Sequence, residues 1–245
     1  MITRYSDPCD LIIEFTEDRK KAKWWQSKKL AQSPRNGKTR KNFVAAFTTP
    51  KDTHSDLVQY HSPSTGNDWL LWHEFRSCGV GQFPEIRCYQ ACYQLTEKYM
   101  TVMVASSMGY GESHREGVTV FTDHLFMRME ERLGVDMTDR LLVIRNFVET
   151  AMGGCISLRP PREGETCRQI VARLPASWMR GQMLEFDDDR YLVQFNTYYT
   201  DKTLTAKQRK DLKTFKQFAD QFKDKNAIER YFKKNNDVNE DDNGI

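Results

Sequence analysis

The sequence predicts an α+β fold: antiparallel sheet built from hairpins, with packed helices that include a C-terminal amphipathic helix. Three observations carry that prediction. Short runs rich in β-branched and aromatic residues recur with turn signals between them, as where Pro63-Ser64-Thr65-Gly66 separates DLVQYHS (56–62) from NDWLLWHEF (67–75). Segments of helical period stand between these runs at roughly 122–133 and 138–152. No strand-turn-helix unit carries a glycine-rich phosphate fingerprint, which sets the chain apart from doubly wound nucleotide-binding folds.

Taken in order, LIIEFT (11–16) reads as a short strand or the lead into a helix over roughly 17–31, and KNFVAAFTT (41–49) reads as a strand. The 56–75 hairpin follows. In NDWLLWHEF, strand alternation sends Trp69, Leu71, His73 and Phe75 to one face and Leu70, Trp72 and Glu74 to the other. Large side chains on both faces describe a central strand or one covered by the first helix. CGVGQFP (78–84) is a loop, and EIRCYQACYQLT (85–96) and KYMTVMVASSM (98–108) form a second antiparallel pair turning near Glu97-Lys98. GYGESHREG (109–117) is a second loop and GVTVF (117–121) a short strand.

The helix at 122–133 stops before Gly134, and the next runs to Gly153-Gly154 with Leu141, Leu142, Ile144, Phe147 and Val148 as its apolar members. Pro160-Pro161 ends regular structure. Strands follow at 169–174, 181–186 and 190–199, with Asp187-Asp188-Asp189 as a turn. Thr205-x-x-Gln208 has capping-box spacing and opens a final helix whose stripe is Leu212, Phe215, Phe218, Ala219, Phe222 and Ile228. Residues 1–235 read as one domain, with 109–116 and 159–168 as the places where it would divide. The acidic end, 236–245, reads as a disordered tail. The sequence shows no internal repeat.

The chain has 245 residues, 39 % hydrophobic, with a mean hydropathy of −0.72. No run approaches the ~18 apolar residues of a bilayer span, no lipidation signal is present, and two Asp precede the first apolar run. These features predict a cytoplasmic protein without a membrane partner. Six cysteines in a chain of this size read as ordinary buried, reduced thiols rather than a disulfide framework. Cys88-x3-Cys92 lacks the second close pair that a zinc site needs, so no metal or other cofactor is expected.

A net charge of +3 conceals a gradient. Residues 1–50 hold 11 Lys/Arg against 5 Asp/Glu, while the last ten hold four acids and no base. The basic excess is concentrated in 18–42. Clustered lysines attract phosphate backbones without reading sequence, which makes Lys20, Lys21, Lys23, Lys28, Lys29, Arg40 and Lys41 candidate nucleic-acid contacts. Trp24 is a candidate stacking platform for a base. A solvated helix face explains the same residues, and one of Trp24 and Trp25 is expected to anchor the helix in the core.

The segment FTDHLFMRMEERLG (121–134) carries the candidate chemistry. On a helix, His124, Arg128, Glu131 and Arg132 fall at i, i+4, i+7 and i+8, one polar stripe, with Leu125, Met129 and Leu133 as its apolar counterpart. The first helical turn disfavours imidazolium, so His124 is placed to act as a general base. Arg128 and Arg132 can hold a phosphate, and Glu131 can orient either one. Attack by a ribose 2′-OH needs such a base and positive charge on the phosphoryl oxygens, and it proceeds without metal. Tyr198, Tyr199, His114 and Arg115 are further donors or stacking groups. A surface ion-pair cluster of small energetic weight accounts for the same stripe.

The pattern His124-x3-Arg128-x2-Glu131-Arg132, followed by a short gap and a second helix, resembles the His-Ala-x-x-Arg-x-x-Glu-Arg-Gly helix of small ribonuclease toxins of the RelE and BrnT group. The resemblance covers residues 121–134. Leu125 stands where that group favours Ala, and Gly134 comes one place later. It implies a helix beside a small antiparallel sheet and a metal-independent ribonuclease, with His124, Arg128 and Arg132 as the transferable positions. Most of this longer chain lies beyond it. The alternative expectation is a non-enzymatic protein-interaction or structural protein of phage or mobile-element origin.

Overall fold

A computed structural model describes residues 7–30, 53–54, 57–76, 85–110, 113–152, 155–158, 167–174, 177–186, 190–206 and 209. Outside them lie the predicted strand at 41–49, the 78–84 loop, Arg40, Lys41, the Asp187–Asp189 turn, the C-terminal apolar stripe and the acidic tail. The α+β prediction holds. Helix α1 (Pro8–Leu30) is followed by β1 (Thr53–His54), β2 (Val58–His61), β3 (Asp68–Arg76), β4 (Glu85–Leu95), β5 (Met100–Tyr110) and β6 (Ser113–Phe121). Helices α2 (Asp123–Leu133) and α3 (Arg140–Met152) precede β7 (Cys155–Leu158), β8 (Arg168–Leu174), β9 (Ser177–Glu185) and β10 (Tyr191–Thr200). A 3-10 turn, Asp201–Thr203, leads to a helical turn in which Arg209 N–H donates to Thr205 C=O at 2.9 Å.

All ten strands join one sheet in the order β1-β3-β4-β5-β6-β10-β9-β8-β7, with β2 also on β3. Every pairing is antiparallel except β6 with β10, where Gly117 opposes Tyr191 and Phe121 opposes Phe195. The architecture therefore repeats although the sequence does not. Each half is a helix followed by a four-stranded meander, α1 with β3–β6 and α3 with β7–β10, and the last strands of the two halves meet in parallel. Of the candidate division points, 109–116 takes in the paired ends of β5 and β6, and 159–168 separates the paired strands β7 and β8.

Alternation along the strands divides the core into two layers. Leu70, Trp72, Val102, Phe121 and Val193 pack against Phe126, Met129, Ile144 and Phe147 of α2 and α3. Trp69, Leu71, Met103, Val118 and Leu192 pack on the other face against Leu11, Ile12 and Phe15 of α1. The two-faced reading of NDWLLWHEF is thus correct, and both of its faces are covered.

Three expectations are corrected. Residues 11–16 are helical, because α1 begins at Pro8, a residue tolerated in a first turn. The stretch 109–117 is not an open loop, since β5 pairs with β6 as far as Tyr110 and Ser113. No such β5–β6 pairing is legible in the sequence because Ser, Gly and charged residues there leave no apolar alternation. Of the thiols, Cys92 is buried, but Cys88 on the same face is exposed, and Cys9 and Cys167 are intermediate.

Candidate functional site

The C-terminal half of α1 holds six bases and no acid between residues 19 and 30. Its charge order suits the helix, with Asp10, Glu14, Glu17 and Asp18 toward the N-terminal end and the lysines toward the carbonyl end. The buried stripe reads Leu11, Phe15, Asp18, Ala22 and Gln26, so two polar residues interrupt the apolar spacing. Each is satisfied. Asp18 accepts from Trp69 Nε1 at 2.7 Å, from Thr65 Oγ1 at 2.9 Å and from the Ser62 hydroxyl. Gln26 donates to Trp72 C=O at 3.1 Å and accepts from Gln90 Nε2 at 2.6 Å. These bonds fix the rotation of α1 and tie the Ser62–Gly66 turn against it.

That rotation decides what faces outward. Lys20, Trp24 and Lys28 lie at i, i+4 and i+8, one stripe on the solvent side. Trp24 is 59 % exposed, and Lys28 Nζ sits 3.8 Å from its ring centroid. Trp25, half-buried, packs on Tyr60 of β2 at 5.5 Å and 32° and is the tryptophan that anchors the helix. Lys21 Nζ reaches Ser64 Oγ at 2.7 Å across to the turn, and Lys20 pairs with Glu17 at 2.6 Å. Lys20, Lys21, Trp24, Trp25 and Tyr60 line a shallow groove of about 400 Å³. Lys23 is exposed on the opposite flank of the helix, near Cys88. Lys29 belongs to the last turn of α1. Asp18, Tyr60 and Ser64 are the residues that sequence reasoning missed. The available signal for Asp18 was an acid in register with Leu11, Phe15 and Ala22.

Helix α2 lies across β10 and β5 on the other face of the sheet. Thr122 caps it, accepting from Leu125 N–H at 3.4 Å, and Gly134 ends it at φ 65° with its N–H on Glu130 C=O at 2.8 Å. Leu125, Phe126 and Met129 are buried, whereas His124 and Glu131 are exposed. Arg128 pairs with Glu131 at 2.7 Å. Arg132 turns toward the sheet, donating to Tyr198 C=O and lying 4.7 Å over the Tyr199 ring. Glu130 accepts from Tyr99 Oη at 2.8 Å and pairs with Lys98 at 3.0 Å, and these two donors hold its carboxyl below its ordinary value.

Among the proposed helpers, Tyr198 is buried with its hydroxyl on Ser177, and Tyr199 lies under Arg132. Both adjoin the C-terminal turn of α2 rather than His124. Arg115 sits at the far end of β6, six residues before Phe121 and so about 20 Å away, where it pairs with Glu185 at 2.7 Å. The histidine stripe and the lysine stripe are thus on opposite sides of one sheet, each a coherent helix face, and they do not merge.

A second groove, of about 500 Å³, lies between α1 and the starts of β6 and β10, with Ile13 and Met152 exposed on its lip. Arg19 and Glu116 face one another there, and burial lowers the Arg19 pKa while Glu116 opposes that shift. Among the described residues, no group of acids, thiols and imidazoles is arranged to hold a metal, and no helix is long and apolar enough to cross a membrane. No protein-family model, no curated protein and no solved structure matches the chain. The likeness of 121–134 to ribonuclease toxins therefore stands on those residues alone.

Proposed function

We propose that this protein binds nucleic acid, with RNA as the leading candidate, through the C-terminal half of α1. The observation that carries the reading is an exposed indole set among lysines on a rigidly held helix: Trp24 at 59 % exposure with Lys28 over its ring. Lysines supply sequence-independent attraction to phosphates, and an exposed ring supplies a stacking surface that tolerates any base. Three aromatic rings beside one another also describe a cage for an organic cation. The ammonium groups of Lys20 and Lys21 at the groove repel that class of ligand.

Binding is separable from cleavage. The His124 stripe offers a base and two guanidiniums, but its arginines are engaged with Glu131 and with Tyr198 and Tyr199. A second reading, docking of a protein partner, is favoured by the exposed Ile13 and Met152 at the second groove.

The test is retention of mixed RNA by the full chain over a salt series in EDTA, with Lys20→Gln/Lys21→Gln and His124→Ala alongside. Binding is expected to weaken log-linearly with salt. Two lost phosphate contacts reduce the slope by about 1.4–1.8. Salt-independent retention, or none at about 50 mM salt, refutes the reading. RNA cleavage in EDTA that disappears in His124→Ala adds the ribonuclease activity to it.

A further inference from the structure

We infer that the α1 groove captures an unpaired base, so that it takes single strands and rejects duplex. This inference rests on the nucleic-acid reading of the same helix and specifies its substrate class. The argument begins with what lysines alone would do. A cationic helix face bears on phosphates, which single and double strands both offer, and it discriminates little between them.

The rings change this. Trp24 stands out from the helix between Lys20 and Lys28, and the ammonium group of Lys28 lies 3.8 Å from its centroid. With 59 % of the residue exposed, ring surface remains for a second partner. Trp25 and Tyr60, tilted at 32° with centroids 5.5 Å apart, form an apolar wall beside it, and the intervening space of about 400 Å³ is open to solvent. A flat aromatic heterocycle matches that combination of a free ring, an apolar wall and cations at the margin. Every nucleobase has such a face, but within a duplex both faces of each internal base are covered by its neighbours. Only an unpaired base can present one to Trp24 while its flanking phosphates meet Lys20, Lys21 and Lys28.

The groove is also built before any ligand arrives. Asp18 binds Ser62 and Thr65 on either side of Ser64, and Ser64 in turn accepts from Lys21 at 2.7 Å. The hairpin that carries Tyr60 is therefore latched to the helix that carries Trp24. Little ordering of either wall remains to oppose binding.

The experiment measures fluorescence anisotropy of an end-labelled, unstructured 12-nucleotide RNA, alone and annealed to its complement, at about 50 mM salt. Wild type, Trp24→Ala, Trp24→Phe and Lys20→Gln/Lys21→Gln are compared, with thermal melts confirming that each variant is folded. Wild type is expected to bind the single strand at least about ten-fold more tightly than the duplex. Trp24→Ala lowers single-strand affinity more than duplex affinity and so removes that preference, and Trp24→Phe restores part of it. The double lysine variant weakens both ligands together. Equal affinity of wild type for both ligands, or an equal loss on both in Trp24→Ala, overturns the unpaired-base inference and leaves nucleic-acid binding standing. Failure of wild type to bind either ligand overturns both.

Discussion

Replacing Asp18 tests whether the latch holds the α1 groove together. The carboxylate is fully buried and accepts from three neutral donors: Trp69 Nε1 at 2.7 Å, Thr65 Oγ1 at 2.9 Å and the Ser62 hydroxyl. In Asp18→Ala all three lose their acceptor. Thr65 is only partly buried and can turn to water, whereas Trp69 and Ser62 are fully buried. Each buried donor left unpaired costs roughly 1–3 kcal/mol, so the pair amounts to about 2–6 kcal/mol. Release from burying a carboxylate offsets part of this, which places the expected loss near 3 kcal/mol. For a chain of this size that lowers Tm by about 6–12 °C.

Asp18→Asn separates hydrogen bonding from charge. Its carbonyl oxygen can still accept from Trp69, and its amide can donate to the Ser62 hydroxyl, which also accepts. A loss of about 1 kcal/mol is expected for it. Urea unfolding followed by tryptophan fluorescence gives both values, and hydrogen exchange at Gly66, whose N–H donates to Ser62 C=O at 2.8 Å, reports on the turn itself. An Asp18→Ala variant within about 0.5 kcal/mol of wild type, or an Asn variant as damaged as the Ala variant, refutes the reasoning.

Two further predictions concern the sheet. A Cβ at Gly181 would stand 1.9 Å from Gln194 C=O in the neighbouring β10, so Gly181→Ala must part the β9–β10 ladder and cost more than about 3 kcal/mol. Gly66→Ala, at φ +71° with nothing within 4 Å of the new atom, is expected to cost only about 1 kcal/mol of backbone strain; comparable melting temperatures for the two would contradict the assignment. His73, buried on β3, has its imidazole pKa lowered by desolvation, so the unfolded chain binds the proton more readily. Stability from this group is present above the unfolded value of about 6.5 and is lost as pH falls below it. His73→Gln should flatten the fall in Tm between about pH 7.5 and 5.5, and an unchanged slope would count against that assignment.

The elements legible in the sequence were those whose signals are local. Pro63 to Gly66 marked the β2–β3 turn because glycine supplies the φ of +71° found there. Thr122 and Gly134 bracketed α2 because a side-chain oxygen and a left-handed glycine satisfy the ends of a helix. The start of α1 is not legible as helix because Leu11-Ile12-Ile13 suits a strand equally well, and its inward stripe is hidden because Asp18 and Gln26 count as solvent-facing in a periodicity search. Their burial depends on Trp69, Ser62, Thr65 and Gln90, residues 44 or more positions away. The parallel contact of β6 with β10 was equally hidden. It joins residues about 75 apart, and nothing within either strand specifies a parallel partner over an antiparallel one.

The same long-range pairing governs how the two candidate sites relate. A ribonuclease acting at His124 would draw on the basic face of 18–42, since 121–134 itself holds only Arg128 and Arg132 against Asp123, Glu130 and Glu131. Strand alternation separates them. Trp69, Leu71 and Val120 point to α1, while Leu70, Trp72 and Phe121 point to α2 and α3. A sheet is one layer thick, but sheet and packed helices stand about 10 Å apart on each side. A strand held at Trp24 would therefore have to pass around an end or edge of the sheet to reach His124. The proposed binding at the α1 groove accordingly needs no help from α2, and any chemistry at His124 would have to recruit its substrate from that helix's own face. There Arg128 and Arg132 would first have to leave Glu131 and Tyr199. The proposed binding through α1 also asks Lys20 to leave Glu17, but that pair is exposed and Trp24 already stands 59 % exposed beside it, a smaller change than catalysis at α2 requires.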